Sequence, residues 1–185
     1  ETSGQGQSAS STRTGEGRSN YRIKRAEAIA LPIPLKYPFK MAKGTITHSN
    51  HVYVRLEDEA GRVGWGETYN VPVIYGRDYR NIYDNLTDYL LPAVIGKDPL
   101  EIGNLHTTLD SALPLCRDGK NGIDAAASDL AGKQLGVSVS TLLGGARLEE
   151  IPMIAPIGIV PPEQAAETAS EFVAKGYKYL KLKFG

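Results

Sequence analysis

Lys181 and Lys183, separated by one leucine, are the sharpest chemical signal in the sequence. Alternate side chains of a strand share a face. Both ammonium groups therefore project to one side, while Leu180, Leu182 and Phe184 take the other. Parallel strands in α/β folds are usually covered on both faces, where two lysines are costly unless they act. Neighbouring ammonium groups oppose each other's protonation, and burial adds to this. A lysine in that setting can accept a proton near neutral pH as a general base. Barrel enzymes hold such groups at the C-terminal ends of strands. The competing reading is a pair of lysines that guard an exposed edge strand.

The other chemistry-bearing residues give quieter signals. In Gly64-Trp65-Gly66-Glu67, two glycines around a tryptophan predict a bulge or a close backbone approach. No third glycine and no opening helix follow, so it is not a dinucleotide fingerprint. Glu67 is expected to hold a structural hydrogen bond rather than to be catalytic. His48, His51 and His106 lack metal-ligand spacing and are expected to pack or lie on the surface. Asp124 and Asp129 are five apart on a predicted helix, do not share a face, and read as cap and solvent-facing residues. Cys116, the single cysteine, excludes an internal disulfide and reads as a small apolar residue. Gly144-Gly145 reads as a helix C-cap. Tyr37 and Lys43 fall in one predicted loop, Lys36–Asn50, and Asn70 and Tyr75 in another, Asn70–Arg77, with Tyr69 and Tyr79 beside it. Loops carried on a rigid scaffold often contact substrate, although these tyrosines could equally pack a small sheet.

The elements that must position these residues come in a legible order. Tyr21–Leu31, His51–Glu57 and Val63–Tyr69 read as strands, the last two joined as a hairpin by Glu59-Ala60-Gly61-Arg62. Helices are predicted from Asp78 to about Leu91, closed by Pro92 and Gly96; over Leu100–Leu113, opened by Asp98-Pro99; and over Asn121–Leu135, stopped by Gly136. Ser138–Leu143 adds one turn. Ile151–Ile157, a helix from Pro162 to about Lys175 and Tyr177–Phe184 then read as a parallel βαβ unit. Residues 1–20 hold twelve Gly, Ser or Thr and no large apolar side chain, so a disordered tail or linker is expected there.

Composition sets outer limits. Lys plus Arg and Asp plus Glu are 21 each in 185 residues, a net charge of zero. That gives no electrostatic footprint for nucleic acid or an anionic membrane. The longest uncharged stretches, Gln134–Ala146 and Ile151–Pro162, are too short to span a bilayer.

Taken in series, His51–Leu56 with Gly64-Trp65-Gly66-Glu67, then Ile123–Lys133, Leu142-Leu143-Gly144-Gly145, Ile151-Pro152 and Leu180–Gly185 resemble the enolase superfamily. The likeness is to its mandelate racemase and muconate lactonizing branches. It implies an α+β capping domain over residues 21–146, with a three-stranded antiparallel sheet and helices. Residues 147–185 would be the first two strands of a modified (β/α) barrel, left incomplete where a whole barrel needs roughly 250 residues. The implied activity is Mg²⁺-dependent removal of the proton α to a carboxylate, as in a muconate cycloisomerase or a racemase/epimerase. An acid-sugar dehydratase and an inactive cap-like interaction module are the alternatives. On this resemblance Lys183 matches the general base and Lys181 its electrostatic partner, and the capping loops help set specificity. The Mg²⁺ ligands are expected on later strands, beyond Gly185. The implied partners are a small-molecule carboxylate and further copies of the chain, with no nucleic acid and no membrane, in the cytoplasm.

Overall fold

A computed structural model describes residues 19–184. The tail expected over residues 1–20 lies outside the described residues except for its last two, and so does Gly185. Three strands come first: β1 (Ile23–Met41), β2 (Gly44–Asp58) and β3 (Val63–Tyr69). They form one antiparallel sheet in the order β1-β2-β3. The expected three-stranded antiparallel sheet is thus present, with helices packed on it.

The first two strands are longer than expected. Lys36–Asn50 is not a loop: β1 runs to Met41 and β2 begins at Gly44. The polar composition and the prolines misled the reading. Pro32, Pro34 and Pro38 lie on β1, an edge strand, where a missing N–H need not break a ladder. The register jumps from Pro34↔His48 to Phe39↔Ile46, so Leu35–Pro38 bulges opposite Thr47 and absorbs the irregularity.

The helical region also departs from expectation in its boundaries. Asp78 does cap α2 (Tyr79–Asn85), accepting from the backbone N–H groups of Arg80 and Asn81. Pro92 does not close the segment. A π-helical turn over Leu86–Leu90 precedes it, and α3 (Leu91–Val94) carries the proline. Widening the ladder just before a proline relieves the clash of its ring with the preceding turn. The Asn70–Arg77 stretch contains a short helix, α1 (Pro72–Tyr75). After Asp98, whose carboxylate accepts from Leu100 N–H at 2.9 Å, the chain turns once more. Helix α4 therefore spans Ile102–Ala112 rather than starting at Leu100.

Helix α5 (Arg117–Leu135) starts a turn earlier than its apolar pattern suggests and is the mainstay of the fold. Gly119 and Gly122 lower its helix propensity, but Gly122 lets it lie close to Val54 and Thr68 of the sheet, and Gly119 close to Leu86 and Leu90. A Cβ on Gly64 or Gly66 would fall onto the α5 backbone, at the carbonyls of Ala126 and Gly122. The glycines around Trp65 therefore mark a close approach. Val52, Val54 and Leu56 of β2 pack with Ile123, Ala126, Ala127 and Leu130 of α5 and with Ile82, Leu86 and Leu90, all essentially solvent-free. Helix α6 (Val139–Leu142) follows, and Gly144 and Gly145 close it with positive φ, as a C-cap requires.

Strands β4 (Ile154–Ile157) and β5 (Tyr179–Leu182) pair in parallel, with α7 (Pro162–Ala174) between them in sequence. This second sheet has little core of its own. Ala155 and Ile157 are buried, whereas no residue of α7 is.

Candidate active site

The lysine pair sits on this second sheet. Pro156 is the register partner of Lys181, and Ile157 of Leu182. Side chains alternate, so the buried Ala155 and Ile157 share a face with Leu180 and Leu182, and Pro156, Lys181 and Lys183 share the other. Pairing continues one residue beyond β5, because Lys183 N–H donates to the Ile157 carbonyl at 3.0 Å. The Lys183 backbone is thus held at the C-terminal end of two parallel strands. Lys181 is exposed and Lys183 half-buried. The expected cover over their face is not supplied by the described residues.

The β1–β2 hairpin reaches the same strand end. Ile159 N–H, just past β4, donates to the Lys40 carbonyl at 3.0 Å. The turn between the two strands holds Lys43, which is exposed, and Tyr37 is 70% exposed in the β1 bulge, with Lys36 Nζ 5.2 Å from its ring centre. Tyr75, at the end of α1, is 65% exposed. Asn70 differs in kind. It is buried, and its side-chain amide donates to Asp118 Oδ2 at 3.0 Å, tying the end of β3 to the first turn of α5. Between the hairpin and the 70–80 segment lies a cleft of about 500 Å³, lined among others by Thr45, His48, Asn50, Asn70 and Val73.

The remaining polar residues behave as scaffold. Glu67 pairs with His51 across the sheet and hydrogen-bonds Tyr53. That bond, then burial, then the nearby carboxylate charge raise the Tyr53 pKa above the ordinary phenol value. His51 also stacks on Tyr69, with ring centres 4.7 Å apart. His106 Nε2 meets Asp124 Oδ1 at 2.6 Å, so Asp124 is a partner rather than a cap. Asp129 is not simply solvent-facing either. Its carboxylate accepts from Trp65 N–H at 2.8 Å and pairs with Lys133 at 2.6 Å, pinning β3 to α5. Cys116 is buried at the start of α5, as a small apolar residue would be.

Sequence reasoning missed Asp58. It is fully buried at the end of β2 and accepts from Ala60 and Arg62 N–H, Arg62 Nε and Gln134 Nε2. Burial opposes its ionisation, but these hydrogen bonds and the Arg62 charge outweigh that and hold its pKa below the usual carboxylate range. The only local sign was an aspartate before a turn, which any loop supplies. Among the described residues no group of three or more His, Cys, Asp or Glu could hold a metal ion. No helix among them is long and apolar enough to cross a membrane.

Comparison with known proteins places this geometry. The model of the mandelate racemase / muconate lactonizing enzyme N-terminal domain matches residues 25–144. The N-succinyl-L-Arg/Lys racemase of Bacillus cereus is 31% identical over 164 residues, which are 89% of this chain and 44% of that protein. A crystal structure of the dipeptide epimerase from Enterococcus faecalis V583, complexed with Mg and the dipeptide L-Leu-L-Tyr, superimposes with a TM-score of 0.82 at 32% identity, covering 89% of this chain and 46% of that one. The muconate lactonizing enzyme from Pseudomonas fluorescens, complexed with muconolactone, gives a TM-score of 0.85 at 26% identity, covering 90% of this chain and 46% of that one. The chain thus spans less than half the length of the relatives it matches.

Proposed function

The chain belongs to the mandelate racemase / muconate lactonizing enzyme family, and we propose on that footing that it is the N-terminal part of an enzyme that removes the proton α to a carboxylate. On this reading residues 21–146 are the capping domain and residues 147–185 open the barrel. The observation that carries the reading is the placement of Lys181 and Lys183 on one face at the C-terminal end of paired parallel strands.

Lys183 is the base. Its backbone is fixed by the bond to Ile157, so its side chain starts from a defined point on the rim. In the neutral form Nζ takes the substrate α-proton, and as an ammonium it can return one. Lys181, two residues earlier on the same face, keeps a positive charge beside that transfer and offers an electrostatic partner to the substrate carboxylate. The exposed hairpin residues Tyr37 and Lys43 supply contacts on the substrate side, with Tyr75 beyond them. Mg²⁺, when bound in such enzymes, stabilises the negative charge that develops on the carboxylate. Among the described residues no group of three or more His, Cys, Asp or Glu could hold that ion.

Racemisation or epimerisation of an N-acylated amino acid or dipeptide is the favoured outcome, given the racemase and the dipeptide epimerase among the relatives. The test is to incubate the intact enzyme with Mg²⁺ in D₂O and follow the α-proton of N-succinyl-L-arginine, L-Leu-L-Tyr and muconolactone by NMR. Loss of the α-proton signal from at least one is expected. Retention in all three would overturn the reading.

A further inference from the structure

The hairpin and the end of β4 meet backbone to backbone. Ile159 N–H donates to the Lys40 carbonyl at 3.0 Å. Gly158 lies directly at that contact. A Cβ there would stand 3.3 Å from Lys40 O, 3.4 Å from Lys40 N and 3.5 Å from the Phe39 ring. The first two are backbone atoms of a strand already paired at Lys40↔Thr45, so they cannot swing aside as a side-chain tip could. Gly158 is not among the residues with positive φ, so its backbone conformation is open to any residue. Space, rather than conformation, is what favours glycine here. One residue earlier, the Ile157 carbonyl accepts from Lys183 N–H. Three consecutive residues thus link the backbone of Lys183 to that of Lys40.

We propose that Gly158 is a positioning residue, the seat that fixes where the hairpin tip stands relative to Lys183. Its meaning for the reaction rests on Lys183 being the base; the seat itself does not. A hairpin hydrogen-bonded at this point is part of the rim instead of a free arm. Its exposed Tyr37 and Lys43 then approach a substrate at a set distance from Nζ. Displacements of about 1 Å are enough to impair an oriented reaction. A small added side chain at Gly158 therefore shifts the substrate-side contacts without touching the base.

Gly158→Ala, with Gly158→Val as the stronger step, tests this in two readouts. The first is amide hydrogen exchange on this chain. Exchange at Ile159 and over Phe39–Gly44 is expected to rise about tenfold in Gly158→Ala and further in Gly158→Val, with Val52 and Val54 unchanged and the same Tm. The second is kinetics of the intact enzyme on N-succinyl-L-arginine or L-Leu-L-Tyr, whichever turns over. KM is expected to rise about fivefold with kcat within about twofold. Ile159 exchanging at the parent rate in both variants overturns the seat. An unchanged KM in an enzyme whose tip amides have loosened overturns its positioning role. Failure of Lys183 as base shows separately, as substrate proton exchange that survives Lys183→Ala.

Discussion

The sheet that packs on α5 and the sheet that carries the lysines are built on opposite terms. The first buries Val52, Val54 and Leu56 against Ile123, Ala126 and Leu130 with essentially no solvent contact. The second leaves Ile154 55%, Tyr179 56% and Leu182 44% exposed, and α7 buries nothing. Buried apolar area is the main stabilising term in folding. The first sheet therefore holds itself together, while the second owes its order to two strands and one crossover helix. The residues with the strongest chemical signal lie on the less self-sufficient part.

Four substitutions sharpen or break that contrast. Gly66→Ala sets a methyl group into the backbone of α5 and is expected to destabilise by about 3 kcal/mol or more, read as a drop in the urea midpoint. If stability holds, β3 and α5 are not in close contact. Val54→Ala removes two buried methyls from the same core and should lower unfolding free energy by about 2 kcal/mol. The same truncation at Val173, which is 60% exposed on α7, should move it by no more than about 0.5 kcal/mol. Equal losses at the two valines would erase the distinction between the sheets.

Asp58→Asn probes how the finished half is fastened, and its effect falls between those of the two valines. The variant keeps the shape but loses the charge that Arg62 and Gln134 hold. A loss of about 1.5 kcal/mol is expected at pH 7. The folded carboxylate has a depressed pKa, so its contribution is fully present above the unfolded value of about 3.9 and is lost as pH falls through the folded value. Parent and variant stabilities should therefore converge below about pH 4 in acid titrations. A gap of constant size down to pH 2 would remove ionisation from the account.

How much of this was legible in sequence follows from the range of the forces involved. Alternation at Val52, Val54 and Leu56 and at Lys181 and Lys183 is local, and the faces follow from it. The hairpin over residues 36–50 was not legible, because prolines on an edge strand resemble a loop until the neighbouring strand is known. Pro92 announces a break in the helix, but not that a π-turn over Leu86–Leu90 lets the chain carry on through it. Asp129 bonding Trp65, Gln134 bonding Asp58 and Gly158 under Lys40 join residues 64, 76 and 118 positions apart. Only the fold brings them together. Tyr37 and Lys43 lie on the hairpin instead of in the expected loop, and the bond of Asn70 to Asp118, 48 positions away, is equally invisible in sequence.

The most direct test of the central claim is Lys183→Ala in the intact enzyme, followed by α-proton exchange of a turned-over substrate with D₂O. The variant should keep the parent's Tm, since Lys183 lies outside the buried core, and exchange should fall at least about a thousandfold, as loss of a general base requires. Exchange at the parent rate in the folded variant would contradict the assignment of Lys183.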